Sequence, residues 1–407
     1  MEHETVKTTL VMAVAHTLPF LAGLPAYLKT RGFQPHVVCS PDEAFQRFCA
    51  REECIAHSVR ISRSITPFRD LFSVIRLWRT FREVRPAIVN SHMSKAGLVG
   101  MMAAWAAGVP VRIYTNHGVA FSSATGWRRS FLKFVETISC RLASDVHTVS
   151  PSVRELMIRE GCCGPEKIRV LANGSCGIDA KSRFNPDRVA PDLRRRTRLS
   201  CGIPPEAPVL GFVGRIAALK GVDDLRRAWE VLSKQYPDLH LLIVGSPDPR
   251  NLILPQTDTL LRSDPRVHFT NEVADTVPYF SVMDVQALPS IHEGLPISLL
   301  EGAAMRLPIV ASRIPGNVDA VEDGVTGTLF PVHDVDALVE AISRYLKDPA
   351  LRLQHGLAGR RRVLPNFQQE IIWEASYREY VDLLQREGIS PPHHAQTPIP
   401  VQQRRAA

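Results

Sequence analysis

Short runs of β-branched and aliphatic residues alternate with amphipathic stretches along nearly the whole chain. In the first half, the runs at 10–16, 36–40, 87–92, 112–116, 145–150 and 168–171 predict strands. The stretches at 18–30, 67–83, 95–107, 127–142 and 152–160 carry apolar residues at helical spacing and predict helices. A polar segment rich in Arg and Pro, 184–208, interrupts the pattern, which restarts at 209–215 and continues through 241–245, 267–270, 285–289 and 308–312. Two consecutive sets of βα units imply two doubly wound parallel sheets joined near residue 190. In such sheets ligands sit beyond the carboxyl ends of the strands, so two facing sheets bound a cleft. The final helical stretch, 367–386, is followed by a Pro- and Gln-rich tail with the composition of disordered chain.

The 407 residues suit two or three domains, and 45% hydrophobic with 22% charged residues excludes wholesale disorder. Eight scattered cysteines without CxxC spacing read as reduced cytosolic thiols. No apolar run is long enough to span a bilayer, and the acidic start MEHETVKTTLVMAVAH reads as a first strand, not a signal peptide. The net charge of +8 is uneven: residues 1–190 hold 25 Lys+Arg against 15 Asp+Glu, the remainder 24 against 26. Much of the excess lies at 60–85, with seven Arg (60, 63, 69, 76, 79, 82, 85) against Asp70 and Glu83. Arg76, Arg79 and Arg82 interleave with Phe72, Ile75, Leu77, Trp78 and Phe81, as in a basic amphipathic helix resting on an anionic membrane. A core helix with a solvated outer face is the plainer alternative. Nucleic acid is not expected as a partner, since no recognisable binding module accompanies the patch.

The strongest constellation is PSIHEGLPISLLEG, residues 289–302. A strand ends at Pro289, a turn containing Gly294 follows, and Pro296 suits the first helical position, where no N–H is needed. The amides of Leu295, Ile297 and Ser298 then form a phosphate seat at a helix N-terminus. Glu293 and Glu301 flank that seat; phosphate repels carboxylates, so sugar hydroxyls are the more natural partners. Helix-dipole stabilisation by Glu293 and a surface Glu301 form the alternative. In GFVGRIAALKG, 211–221, a strand runs into Gly214-Arg215 and Lys220 precedes a helix. Arg215 forking onto phosphate oxygens and Lys220 as a point charge can clamp one polyanion. TNHGVAF places His117 at a strand end, and NSHMSKAG brings His92 and Lys95 to the next. A purely structural role remains open for each of these. No GxSxG, HExxH, Walker A or EF-hand motif supports a hydrolase or metal reading.

Over roughly residues 8–388 the chain resembles retaining glycosyltransferases of family four, which have the GT-B fold. GRIAALKG, the Glu293/Glu301 pair in HEGLPISLLEG, and EDGVTGTLF at 322–330 carry the resemblance. SHMSKAGLVGMMAAWAAGVPVRIYTNHGVAF and KIRVLANGSCGID look most like bacterial enzymes of capsule, O-antigen and lipid-linked glycan synthesis. The resemblance implies an acceptor domain at 1–190, a nucleotide-sugar domain at 191–366, a helix at 367–388 returning to the first domain, and a disordered tail at 389–407. It implies a catalytic set of His117, Arg215, Lys220 and Glu293. Donor contacts follow from Gly23, Gly214, Arg215, Lys220, Glu293, Gly294, Leu295, Ile297, Ser298 and Glu301. His92, Lys95, Arg76, Arg79 and Arg82 are expected on the acceptor or membrane side. No metal or cofactor is expected. The implied activity moves a sugar from a nucleotide-diphosphate donor, a UDP-sugar, to a lipid-linked or growing glycan at the cytoplasmic face of the inner membrane. A GT-B sugar-nucleotide epimerase and a non-catalytic scaffold are the alternatives. Three positions depart from the family: Gly23 stands alone where many relatives carry Gly-Gly, Asn90 replaces a frequent His, and Asp319 replaces the usual Glu.

Overall fold

The computed structural model describes residues 5–62, 66–174 and 176–392; Arg63 and residues 393–407 of the tail lie outside the described residues. Two parallel sheets form, one per half. The first has seven strands: β1 (Val6–Val11), β2 (Phe33–Cys39), β3 (Ile55–Ser58), β4 (Ile88–His92), β5 (Val111–Asn116), β6 (Asp145–Thr148) and β7 (Ile168–Val170). Its order is β3-β2-β1-β4-β5-β6-β7. The second has six: β8 (Val209–Val213), β9 (His240–Val244), β10 (Val267–Phe269), β11 (Val285–Leu288), β12 (Ile309–Ser312) and β13 (Gly327–Phe330), ordered β10-β9-β8-β11-β12-β13. Parallel strands covered on both faces need unbroken apolar runs, and β8 (VLGFV) and β9 (HLLIV) are buried at every position. Strand order reverses between β1 and β4 and again between β8 and β11, so the loops leaving these strands meet in one crevice.

The helix Gln369–Arg386 leaves the second domain and packs on the first, where Tyr377, Tyr380, Leu383 and Leu384 join the core beside Leu10, Leu28 and Phe33. Asn90 explains part of its seat. Its Nδ2 donates to the Tyr380 hydroxyl at 2.9 Å, and its Oδ1 accepts from Thr115 at 2.7 Å. The family's frequent His is thus replaced by an amide that ties this helix to β4 and β5.

Several expected boundaries move. The first strand is Val6–Val11 instead of 10–16, because a 3-10 helix containing Pro19 occupies Ala15–Leu21. The helix expected over 18–30 is split: Gly23 adopts φ 80°, and an α-helix restarts at Leu24–Thr30. Pro296 is extended at φ −75°, ψ 108° and caps a helix that begins at Ile297. The polar segment 184–208 holds the helix Leu193–Cys201, anchored by buried Arg198, which donates to the carbonyls of Pro204 and Ala207 at 2.8 Å each.

Candidate active site

The crevice wall from the second domain is built by the loops after β8, β9 and β11. Lys220 lies just before the helix Val222–Gln235, and its Nζ donates to Glu293 Oε1 at 2.6 Å. Both side chains are largely buried, at 18% and 8% exposure, so the pair sits in a partly dry environment where charge interactions are strong. The loop carrying Lys220 is braced: Leu219 N donates to Asn251 Oδ1 at 2.7 Å, and Ile291 N to the Leu219 carbonyl at 2.9 Å. Arg215 is aimed by Asp248, a buried carboxylate that also accepts from the Arg250 amide at 3.1 Å. Burial alone would raise the Asp248 carboxyl. The Arg250 amide and the Arg215 and Arg250 guanidiniums outweigh it and hold the group below its ordinary value. More than half of the Arg215 side chain is exposed.

At the start of the helix Ile297–Ala304, the amides of Leu295, Ile297 and Ser298 make no hydrogen bond among the described residues. This is the donor-rich terminus that suits an anion. Glu301 is half-buried on the second turn, and its carboxylate accepts no hydrogen bond among the described residues. Burial pushes its carboxyl up to about 8, with Arg183 opposing and Asp275 adding to the rise.

The facing wall comes from the first domain. His117 follows β5, and its Nε2 shares a hydrogen bond with His92 Nδ1 at 3.0 Å. Phe20 meets the His117 ring edge to face at 5.2 Å. Burial lowers His117 to about 4 and His92 well below the usual imidazole range, the latter also under the influence of His117 and His147. Both rings are neutral near pH 7, so one donates and the other accepts. His92 Nε2 has no partner among the described residues.

The two walls touch at Gly294. A Cβ there would lie 2.1 Å from the His117 carbonyl oxygen, so only glycine allows this approach. Ser150 Oγ donates to the Gly294 carbonyl at 2.8 Å, and Ser122 Oγ pairs with His292 Nδ1 at 2.8 Å. A further bridge uses Asp319, which accepts from the Ser152 amide at 3.2 Å and from its hydroxyl, while Gly316 N donates to Ser152 Oγ at 2.8 Å. The shorter Asp319 thus has an interdomain partner. Asp248, Ser150 and Ser152 carried no spacing signal in the sequence; each works through a partner 33 to 167 positions away.

His117, Lys220, Glu293 and Gly294 are therefore gathered at one point, with Gly214 and Arg215 on the adjoining loop. Gly23 and Lys95 are engaged elsewhere. The Gly23 amide is taken by Glu52 Oε2 at 2.8 Å, and a Cβ at Gly23 would meet the Trp373 ring at 1.9 Å. Lys95 turns to Asp70, bracing two neighbouring helices, so it does not reach the crevice. Arg76, Arg79 and Arg82 are exposed on the outer face of the helix Pro67–Val84.

That outer face also exposes large apolar side chains. Phe68 and Phe72 are 83% and 67% exposed, and Leu71, Ile75 and Trp78 are exposed beside the arginines. The helices Ser94–Ala106 and Gly126–Leu142 pack alongside and add Met102, Trp105, Trp127, Phe131 and Phe134 to the exposed apolar side chains. Among the described residues, no helix is long and apolar enough to cross a membrane, and no group of three or more His, Cys, Asp or Glu is arranged to hold a metal.

Two family models match the chain: "Glycosyl transferase 4-like domain" over residues 19–174 and "Glycosyl transferases group 1" over 207–348. The capsular polysaccharide biosynthesis glycosyltransferase CapM of Staphylococcus aureus is 29% identical over 364 residues, covering 89% of this chain and 94% of its own. An Escherichia coli UDP-Gal:alpha-D-GlcNAc-diphosphoundecaprenol alpha-1,3-galactosyltransferase is 28% identical over 298 residues, covering 72% and 75%. Among solved structures, a Rickettsia africae glycosyltransferase superposes with TM-score 0.77 at 19% identity, covering 94% of this chain and 100% of that one. Anabaena HepE in complex with UDP-glucose gives TM-score 0.77 at 20% identity, covering 92% and 99%. Fold and sequence together define a glycosyltransferase of the GT-B architecture. The chain belongs to the group 1 glycosyltransferases, with a glycosyl transferase 4-like first domain.

Proposed function

We propose that the protein transfers a sugar, with retention of anomeric configuration, from a UDP-sugar to a lipid-linked or growing surface-polysaccharide acceptor. The observation that carries this reading is the Lys220–Glu293 pair beside a free helix N-terminus, in contact with the His117 loop across the crevice. Arg215, Lys220 and the amides of Leu295, Ile297 and Ser298 would hold the diphosphate and offset its charge as the sugar leaves, a task that then needs no metal. Glu293 would accept from hydroxyls of the transferred sugar, Glu301 from the ribose, and His117 would line the far side of the sugar. The bond from the anomeric carbon to the diphosphate oxygen breaks as the bond to the acceptor oxygen forms on the same face. The acceptor proton passes to the departing diphosphate, since among the described residues no side chain is posed as a nucleophile. The named activities of the capsular and lipid-diphosphate relatives support this donor and acceptor class. They are transferases, which disfavours the epimerase and scaffold alternatives.

The exposed arginines and aromatic side chains on the three outer helices support docking on an anionic bilayer, as a peripheral protein of the cytoplasmic face of the inner membrane. Incubation of a panel of UDP-sugars with membrane lipid extract, with products resolved by mass, tests the assignment. A sugar added to a lipid-linked acceptor with an α-retained linkage is expected; conversion of donor to a new free sugar nucleotide without acceptor would instead show an epimerase.

A further inference from the structure

We propose that Glu136 is a positioning residue for this transfer: a buried carboxylate that fixes the His117 loop by holding Asn116. The inference rests on the transferase reading above for its catalytic consequence and on geometry alone for its structural one.

Glu136 lies on the inner face of the helix Gly126–Leu142, 2% exposed, with no cation paired to it among the described residues. Three donors converge on it instead. Tyr114 OH donates at 2.6 Å, Asn116 Nδ2 at 3.1 Å, and the Ser94 hydroxyl also donates. Asn116 is fully buried and is the last residue of β5; it is gripped at both ends. Its Nδ2 also reaches the Tyr114 oxygen at 3.0 Å, while its Oδ1 accepts from the Gly118 amide at 2.8 Å. The Tyr114 ring is fully buried and packs directly on Gly97, where a Cβ would lie 2.2 Å from it. The chain of contacts therefore runs from Glu136 through Asn116 to Gly118, and Gly118 backs on Gly294, where a Cβ on Gly118 would lie 3.2 Å from the Gly294 backbone. Burial raises the Glu136 carboxyl, and its three hydrogen bonds oppose that rise. A carboxyl without a counter-ion is a poor choice for filling a core, where an apolar residue of similar size does better. Its product here is the direction of one amide in the loop that carries His117.

The test uses the full-length protein with donor and lipid-linked acceptor, and UDP as the binding probe. Glu136→Met fills the same space without an acceptor; kcat is expected to fall about 10- to 100-fold, as for a misplacement of roughly 1 Å, while the Kd for UDP stays within about threefold. Glu136→Gln keeps at least about a third of kcat, because its oxygen still accepts from Tyr114 and Asn116 and its NH2 donates to the Ser94 hydroxyl. Asn116→Ala reproduces the loss, and the double variant loses no more than the worse single one. Amide exchange at Gly118 accelerates about tenfold or more in Glu136→Met. Retained kcat, parallel loss of UDP binding, multiplying losses in the double variant, or unchanged Gly118 exchange would each overturn the proposal. If Glu136→Met does not fold, Asn116→Ala carries the same expectations. Inactivity of the wild-type protein with every donor would count against the transferase reading, and the Gly118 exchange would still decide the positioning role.

Discussion

Alanine at position 294 adds one methyl group at the point where the two domains meet. Gly294 is outside the left-handed region, so its own backbone accepts alanine without strain. The obstacle is on the other domain: the new Cβ would lie 2.1 Å from the His117 carbonyl oxygen, 2.6 Å from its carbon and 3.0 Å from Val149 Cγ2. Contacts below 3.0 Å essentially do not occur for real Cβ atoms, and the closest partner is backbone, which cannot rotate aside. The walls must separate by about 1 Å, a displacement that in an oriented reaction costs on the order of 100-fold in rate, or about 2.7 kcal/mol of activation energy. Each domain keeps its own core, so the thermal midpoint should move by no more than about 2 °C. UDP affinity should stay within about threefold, because the residues proposed to hold the diphosphate all belong to the second domain. Initial rates at saturating donor and acceptor, calorimetric titration with UDP and thermal unfolding make the measurement. A kcat within threefold of wild type would show that the closed contact is not needed for transfer. A parallel loss of UDP binding would place the damage within the second-domain loop.

Four more outcomes are expected. Lys220→Ala should lower turnover by at least about 100-fold and, by stranding the Glu293 carboxylate, cost about 3 kcal/mol in denaturant unfolding; Lys220→Ala with Glu293→Gln should recover stability and not activity. Burial pushes the Glu301 carboxyl up to about 8; ribose hydroxyls donating to it, as proposed, would favour its ionised form, so UDP binding should tighten from pH 6.5 to 8.5 with proton release, and Glu301→Gln should abolish the slope. His36, buried against His57, is lowered from 6.5 to about 4; the unfolded chain binds its proton first, so stability holds above pH 6.5 and falls by up to ~3 kcal/mol towards pH 4, which urea midpoints at pH 7 and pH 4.5 will register. Anionic vesicles should retain the protein at low salt and release it when Arg76, Arg79 and Arg82 are replaced by Gln or Trp127 and Phe134 by Ser; unaltered sedimentation with both sets would remove the membrane from the proposal.

The sheet interiors were legible because buried parallel strands must be continuously apolar, and the centres of β8 and β9 declare themselves in that way. The edges were not. β3 is only Ile55–Ser58, half-exposed and containing a histidine, and β13 is the short GTLF inside a motif noted for its resemblance instead of its periodicity. Gly23 and Pro296 mark places where one residue's backbone decides an element boundary against a favourable apolar pattern. In the site, motif spacing located Lys220, Glu293 and His117, since these residues sit where strands end. Which side chains aim them was hidden: Asp248 on Arg215 and Glu136 on Asn116 are pairings of distant positions that only the fold brings together.

The helix Gly126–Leu142 has two occupations on opposite faces. Outward it exposes Trp127, Phe131 and Phe134; inward it carries Glu136. Seventeen residues make a rod about 25 Å long whose two faces share one axis, so a tilt of its outer face would also tilt the carboxylate. A protein seated on lipid by this helix would have its reaction geometry set partly by the stiffness and thickness of the leaflet beneath it. Turnover measured on fluid and on gel-phase vesicles of the same charge is then expected to differ even where the amount of bound protein is equal.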